Sequence, residues 1–315
     1  MPDPIITGVH HVTALAKSPA GNLDFYNRVL GLRFIKRTVN HDDPLTYHLY
    51  YADAAGSPGS VLTHFPHPHA AKASHGTGEI RRTLLAVPDG SMGFWSDRLR
   101  ELDIEATPSI HFGRPRLSFA DPDGMELGIV EGDVGGVGTP WEGDGVSAEN
   151  AIRTVDTVTL RVPSAEATGE FLVEALGFEA GEREDDRQLF TLLDGGPGRR
   201  LELIDDPGAE QQPMGAGTVH HVAWRVPDDA AQLRVADRLA AANTAATPVI
   251  DRVYFHSIYF RVPGRVIFEV ATDGPGFTAD EPMDALGTSL VLPPQHEPRR
   301  DEIEAHLLPL DGGGK

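Results

Sequence analysis

The sequence predicts an α+β protein of four βαβββ units in tandem, grouped as two halves. Three observations predict it. Four short apolar or alternating runs, HHVTAL, RRTLLAV, DTVTLRV and HHVAWRV, begin near residues 10, 81, 156 and 220. Each is followed by a stretch with helical spacing of its apolar residues. The distance from strand to helix end also repeats: His11 to Gly31 and Thr157 to Gly177 are both 20 residues. Equal spacing of that kind argues for internal duplication.

The elements follow in order. Unit one covers about 5–76. Its helix is SPAGNLDFYNRVLGL, with Ser18 as N-cap, Pro19 in the first turn, and Leu23, Tyr26, Val29 and Leu30 as the apolar stripe. Gly31 can end it in the left-handed conformation. Strands RFIKRTVN, TYHLYYAD and SVLTHFP come next. Unit two covers about 77–135, with helix SMGFWSDRLRELDI and the strand segment PRLSFADPDGMELGIV. A Gly-rich acidic linker, VEGDVGGVGTPWEGDGVSAEN, carries the boundary between halves 1–150 and 151–315.

Unit three covers about 152–206. Its helix SAEATGEFLVEALGF has Ser164 as cap and Gly177 as terminator, with Phe171, Leu172, Ala175 and Leu176 as the stripe; QLFTLLD and RRLELID follow as strands. Unit four covers about 216–273, with helix DDAAQLRVADRLAAAN and strands within DRVYFHSIYFRVPGRVIFEVA. The tail from Pro275 holds one weak helical run, RRDEIEAHLL, and ends in DGGGK, which is expected to fray.

Composition sets bounds. The chain has 315 residues, 40% of them hydrophobic, enough for two ordinary cores. It has no cysteine, which excludes disulfides, thiolate metal sites and cysteine nucleophiles and fits a reducing compartment. The formal net charge of −20 opposes binding to nucleic acid or anionic membrane. MPDPIITGVHH lacks the pattern of a signal peptide, and no apolar run approaches a membrane span, so a cytoplasmic location is expected. Oligomeric state is not specified, and a homo-oligomer is compatible.

The chemistry lies in two near-identical frames. GVHHVTAL holds His10 and His11; TVHHVAWRV holds His220 and His221. Aligning the four strand starts puts His11, Arg82, Thr157 and His221 in one slot. Aligning the last strands puts Glu269, Gly128, Glu202 and Thr63 (or His64) in another. Two histidines and one carboxylate on strands form the ligand set of a mononuclear Fe(II) site with open positions for substrate and O2. Only units one and four supply the histidines, so His11, His221 and Glu269 require those two units to meet across a shared cup. Glu202, with no histidine in its unit, reads as a solvated strand residue.

Several segments resemble a known family: ITGVHHVTA, RFIKRTVN, YHLYYAD, GSPGSVLTHFP, HHVAWRVPD and DRVYFHSIYFRVPGRVIFE. They are similar to the vicinal oxygen chelate superfamily, which includes glyoxalases, bleomycin-resistance proteins and extradiol dioxygenases. Within it they are closest to the hydroquinone ring-cleaving dioxygenases, and they span nearly the whole chain up to Phe277. The resemblance implies Fe(II), or Mn(II) in some members, held by His11, His221 and Glu269. It also implies a small aromatic substrate with O2, and places His10, Tyr259 and Arg252 near the metal. Regular strand alternation turns His10 away from such a metal, so its placement needs a local strand distortion. Thr63 departs from the fourth protein ligand of glyoxalase I, which speaks against glyoxalase chemistry. A metal-dependent lyase or isomerase, and a non-catalytic binder of small molecules, are the rival functions.

Two further motifs read as structure. THFPHPHAAKASHGTGE places His64, His67, His69 and His75 in a Pro-rich loop, where histidines are solvated, although the loop can cover a site. DPDG at Asp121–Gly124 reads as a turn between strands; the spacing of a calcium loop is missing.

Overall fold

The structure, a computed structural model, describes residues 5–211 and 213–310. The DGGGK end lies outside them. Unit one supplies β1 (Gly8–Ala16), α1 (Pro19–Leu23), β2 (Arg33–Val39), β3 (Tyr47–Ala52) and β4 (Val61–Pro66). Unit two supplies β5 (Glu79–Val87), α2 (Met92–Glu101), β6 (Thr107–His111), β7 (Arg114–Ala120) and β8 (Glu126–Glu131). Unit three supplies β9 (Thr154–Val162), α3 (Ala165–Leu176), β10 (Glu179–Glu184), β11 (Arg187–Thr191) and β12 (Arg200–Asp205). Unit four supplies β13 (Val219–Val226), α4 (Asp229–Ala241), β14 (Ile250–Asp251), β15 (Phe255–Arg261) and β16 (Ile267–Pro275).

These strands form two curled eight-stranded sheets. The first runs β14-β15-β16-β13-β1-β4-β3-β2, and the second β10-β11-β12-β9-β5-β8-β7-β6. Units one and four therefore share one sheet, and units two and three the other. In each, the two first strands pair antiparallel at the centre: β1 with β13, and β5 with β9. A cut near residue 150 would divide both sheets. Every helix packs on the last strand of its own unit, α1 on β4, α2 on β8, α3 on β12 and α4 on β16.

Local sequence explains the helix ends. Ser18 Oγ accepts from Gly21 N–H, Ser164 Oγ from Ala167 N–H, and Asp228 Oδ1 from Ala231 N–H. Gly177 closes α3 at φ +79°. Unit one differs from unit three here. Its helix widens after Leu23 into a π-helical turn, Asp24–Val29, before Gly31 at φ +63°. A Cβ on Gly31 would come within 2.5 Å of Val146 in the linker, so this turn also needs glycine for space.

The tail is more ordered than its sequence suggests. Its Leu290 pairs with Arg37 on β2, and α5 (Arg300–His306) buries Ile303. The anchor is Lys36, a fully buried lysine on β2. Its ammonium donates to Asp280 Oδ1 at 2.6 Å, to the Phe277 carbonyl at 3.2 Å and to Glu281, and lies 4.9 Å from the Tyr254 ring centre. Truncating one partner of a buried ion pair leaves the other charge desolvated. Lys36→Ala should therefore lower unfolding free energy by on the order of 3–5 kcal/mol in urea titrations. A loss below about 1 kcal/mol would mean that the group is worth no more than an exposed pair.

Candidate metal centre

The site begins with two β-bulges. On β1, Val9 pairs with Trp224 and His11 with Ala223, so His10 is an extra residue. Two residues further on, Thr13 pairs with His221 and Ala14 with Val219, so His220 is the extra residue on β13. A bulge breaks strict alternation and re-aims adjacent side chains. This is the distortion that His10 requires, and it occurs twice, related by the internal repeat. Glu269 sits on β16 beside Ala223, and Tyr259 lies directly across from it on β15.

His11, His221 and Glu269 converge and are all buried. The two Nε2 atoms are 3.3 Å apart. Glu269 Oε2 lies 3.3 Å from His11 Nε2 and 2.9 Å from His221 Nε2. Ligand atoms about 2.1 Å from a common ion would be roughly 3.0 Å apart at right angles, and roughly 3.4 Å apart in a tetrahedron. The observed separations fall across that range. Glu269 Oε2 is buried, yet among the described residues no contact to it has good hydrogen-bond geometry. A buried carboxylate oxygen without a donor is the group a cation would satisfy. The donor set and its spacing fit a metal ion.

The surroundings prepare these atoms. Burial would push the Glu269 carboxyl up, but His11 and His221 together hold it well below the usual range. Its other oxygen accepts from Ser257 Oγ. Burial lowers the pKa of His221, which favours the neutral ring that a metal needs. Each ligand histidine is backed by its neighbour in sequence. His10 Nδ1 lies 2.9 Å from His11 Nδ1, and His220 Nδ1 lies 2.7 Å from His221 Nδ1. Burial keeps both supporting rings neutral: His10 is held well below its ordinary value and His220 falls to about 3. The His10 ring also meets the Thr272 carbonyl. Where His10 Nδ1 accepts from His11 Nδ1–H, Nε2 of His11 is left to face the cluster. The His11 Nε2 lone pair then points at the centre. Such a partner fixes the tautomer of a ligand. His10 thus stands behind His11 and offers no ligand atom to the cluster.

Of the three candidate ligands, His11 and His221 border a cavity of about 480 Å³, and Glu269 lies buried behind them. Leu15, Phe65, Phe255 and Ile267 give it apolar walls, and Asn40, His41, His48, Arg252 and Tyr259 give it polar ones. Tyr259 packs edge-on to His221 at 5.6 Å. Arg252 Nε donates to Tyr259 Oη at 3.3 Å, and its other end meets Asp42 at 3.3 Å. Burial, then Glu269, pushes the Tyr259 pKa up, so the phenol keeps its proton.

Sequence reasoning missed several of these residues. His48 links Thr63 Oγ1 at 2.7 Å to Tyr50 Oη at 2.8 Å, and so ties up the slot opposite Glu269. The signal was present: His48 and Tyr50 alternate on one face of TYHLYYAD. His64 is not solvated. It is buried between the rings of Tyr26 and Tyr51, at 4.1 and 5.8 Å, and burial lowers its pKa to about 3. Of the other loop histidines, His67 reaches the cavity wall and His75 pairs with Glu79 at 3.2 Å. Glu202 is also not solvated: it is fully buried in a bidentate ion pair with Arg116. A single-strand pattern cannot reveal a partner 86 residues away. DPDG is a turn, with Asp121 Oδ1 accepting from the Asp123 and Met125 amides at 2.9 Å.

Comparison with known proteins agrees with this geometry. The profile of the Glyoxalase/Bleomycin resistance protein/Dioxygenase superfamily matches residues 8–129 and 154–277. The chain belongs to that superfamily. It is 41% identical over 304 residues to "Putative ring-cleaving dioxygenase MhqO" of Bacillus subtilis, covering 96% of each chain. It is 31% identical over 309 residues to "Chlorohydroquinone/hydroquinone 1,2-dioxygenase" of Sphingobium indicum, covering 95% of each. A crystal structure named as a putative dioxygenase from Bacillus subtilis superposes with a TM-score of 0.93 at 40% identity, covering 97% of this chain and 98% of that one. Among the described residues no helix is long and apolar enough to cross a membrane.

The ligand assignment is testable by metal content. After anaerobic reconstitution with Fe(II), wild type should hold one equivalent. His221→Ala and Glu269→Ala should each retain less than a tenth under the same chelator wash while keeping their far-UV spectra, on the order of the loss expected for one ligand of three. Glu202→Gln should keep its metal, because Glu202 lies in the other sheet.

Proposed function

We propose that the protein is an Fe(II)-dependent dioxygenase that cleaves the ring of a hydroquinone-like aromatic with O2. The observation that carries this reading is the buried His11–His221–Glu269 cluster opening on a partly apolar cavity. The names of the relatives support the aromatic substrate class. Iron bound there would act as a Lewis acid on a phenol and would conduct electrons between ring and O2.

The chain's own groups would do the rest. Two neutral imidazoles and one carboxylate leave a divalent ion with a charge near +1, which favours a substrate phenolate. Leu15, Phe65, Phe255 and Ile267 would hold the ring face and exclude water. Tyr259 is the proton donor. Because Arg252 Nε–H donates to the Tyr259 oxygen, the phenolic proton is free to be given to an oxygen of the substrate. Arg252 would position Tyr259 and stabilise negative charge as it develops. His10 and His220 would keep the ligand rings oriented. Manganese suits the same donor set, and the choice of iron rests on the O2 chemistry.

Thr63 and His48 bear on the rival activity. The slot that would hold a further carboxylate carries a threonine, bonded to His48 and, at 2.9 Å, to Thr13 Oγ1. Asp42, another acid on the cavity wall, is engaged by Arg252. Among the described residues lining this wall, no carboxylate other than Asp42 stands ready as a base for enediolate chemistry.

An oxygen electrode decides the reaction class. Iron-loaded protein should consume about one O2 per hydroquinone and give a ring-opened acid, as the open positions of the site imply. Tyr259→Phe should keep iron and slow turnover by about 10- to 1,000-fold, the range for losing one proton-transferring or oxyanion-stabilising group. No oxygen uptake with a panel of hydroquinones and catechols, together with hemithioacetal isomerisation, would replace ring cleavage by the lyase reading. Saturable binding without turnover would make the protein a binder.

A further inference from the structure

The second sheet repeats the cup of the first with different chemistry. Under the half repeat, unit two corresponds to unit four. Arg82 then stands where His221 stands, Gly128 where Glu269 stands, Ser118 where Tyr259 stands, and Arg116 where Ser257 stands. The pairings agree, with Ser118 opposite Gly128 as Tyr259 is opposite Glu269. Glycine and serine replace glutamate and tyrosine; Leu84 closes the Gly128 slot, where a Cβ would meet it at 2.7 Å, and the room lies beside Ser118. A cavity of about 630 Å³ lies there, with Arg82, Ser109, Ser118 and Arg187 on its polar wall and Phe25 and Phe119 on its apolar one.

This wall holds an excess of unused donors. Arg82 Nε, Arg187 Nη1, Ser109 Oγ and Ser118 Oγ, all on residues lining the cavity, are buried without a hydrogen-bond partner among the described residues, as is Nε of Arg116, which does not line it. Arg116 itself is only 3% exposed. Buried donors are normally satisfied, so four around one cavity point to a missing acceptor. The charges agree. Glu202 takes Arg116 in a bidentate pair and lies 3.7 Å from Arg187; Glu126 takes Arg82 at 3.0 Å. Arg81 pairs with Glu126 as well, so four arginines face these two glutamates in a chain of net charge −20. Asp103 and Glu105 are exposed among the residues lining the cavity, and would repel a second negative charge. Asp121 is occupied by the Tyr26 hydroxyl and backbone amides.

We propose that this second cup binds a small organic monocarboxylate with an apolar or aromatic body. The planar guanidinium fork matches a carboxylate, the serine hydroxyls add donors, and the phenylalanines cover the body of the ligand. Asp103 and Glu105 at the rim disfavour phosphates and dicarboxylates. The site is separate from the metal centre, and the proposal stands whether or not the protein cleaves rings.

Calorimetric titration of the full-length protein with sodium benzoate tests it, with benzamide as the neutral isostere. Benzoate should bind with one-to-one stoichiometry, more weakly as salt is raised, and benzamide should not bind. Arg187→Gln keeps the Arg116–Glu202 pair and should weaken benzoate at least about tenfold, the value of one charge-assisted hydrogen bond. Ser118→Ala should weaken it by a smaller factor and gives a second probe if the arginine variant folds poorly. Tyr259→Phe, in the first cup, should leave binding unchanged. Absence of benzoate binding at 10 mM, a concentration of roughly the weakest affinity worth calling a site, would overturn the proposal. So would equal binding of benzamide, or binding lost in Tyr259→Phe but kept in both second-cup variants.

Discussion

The structure depends on the antiparallel pairing of β1 with β13. That contact joins the first and last units into one sheet, and it brings His11 beside His221 although 210 residues separate them. Its two bulges matter as much as its hydrogen bonds. A regular ladder would send His10 and His11 to opposite faces, and the same holds for His220 and His221. With one extra residue on each strand, both members of each pair serve one centre. In each pair one ring turns Nε2 to the cluster and the other meets its Nδ1 from behind.

The fold is legible in the sequence because its signals are repeated. Four strand starts and two equal strand-to-helix spacings identify the unit, and slot occupancy alone selects His11, His221 and Glu269. Strand alternation demands a distortion at His10, and the bulge on β1 supplies it. Other features are hidden for physical reasons. The edge strands β6 and β10 are largely exposed and carry no apolar alternation. The tail's docking rests on a lysine, a residue that sequence patterns assign to the surface. Glu202 and His64 look solvated in the sequence because local pattern shows polarity but not the partner or the packing that burial supplies.

The two sheets show how one scaffold carries different electrostatics. In the first cup a carboxylate faces two histidine rings, and one of its oxygens has no well-formed hydrogen bond among the described residues. In the second, the carboxylate has moved to the other arm, onto Glu202 in unit three, and a guanidinium closes on it. The first arrangement asks for a cation. The second supplies its own cation and leaves arginine and serine donors over. The residues at equivalent positions differ by size as well as charge, so the backbone repeat survives while the ligand preference inverts.

The long reach of the β1–β13 contact also sets an order of events during synthesis. When the ribosome has made the first unit, β1 has its parallel partner β4 but its other side faces solvent, with unpaired amides and carbonyls. That edge stays open until β13 emerges some two hundred residues later, an interval of roughly 10–40 s at typical elongation rates. Units two and three, adjacent in sequence, can complete their own sheet first. The sheet that carries the candidate metal centre therefore closes last. A nascent chain stalled before Glu269 would carry one or both histidines and lack the carboxylate, so the candidate ligand set is complete only when nearly the whole chain has been made.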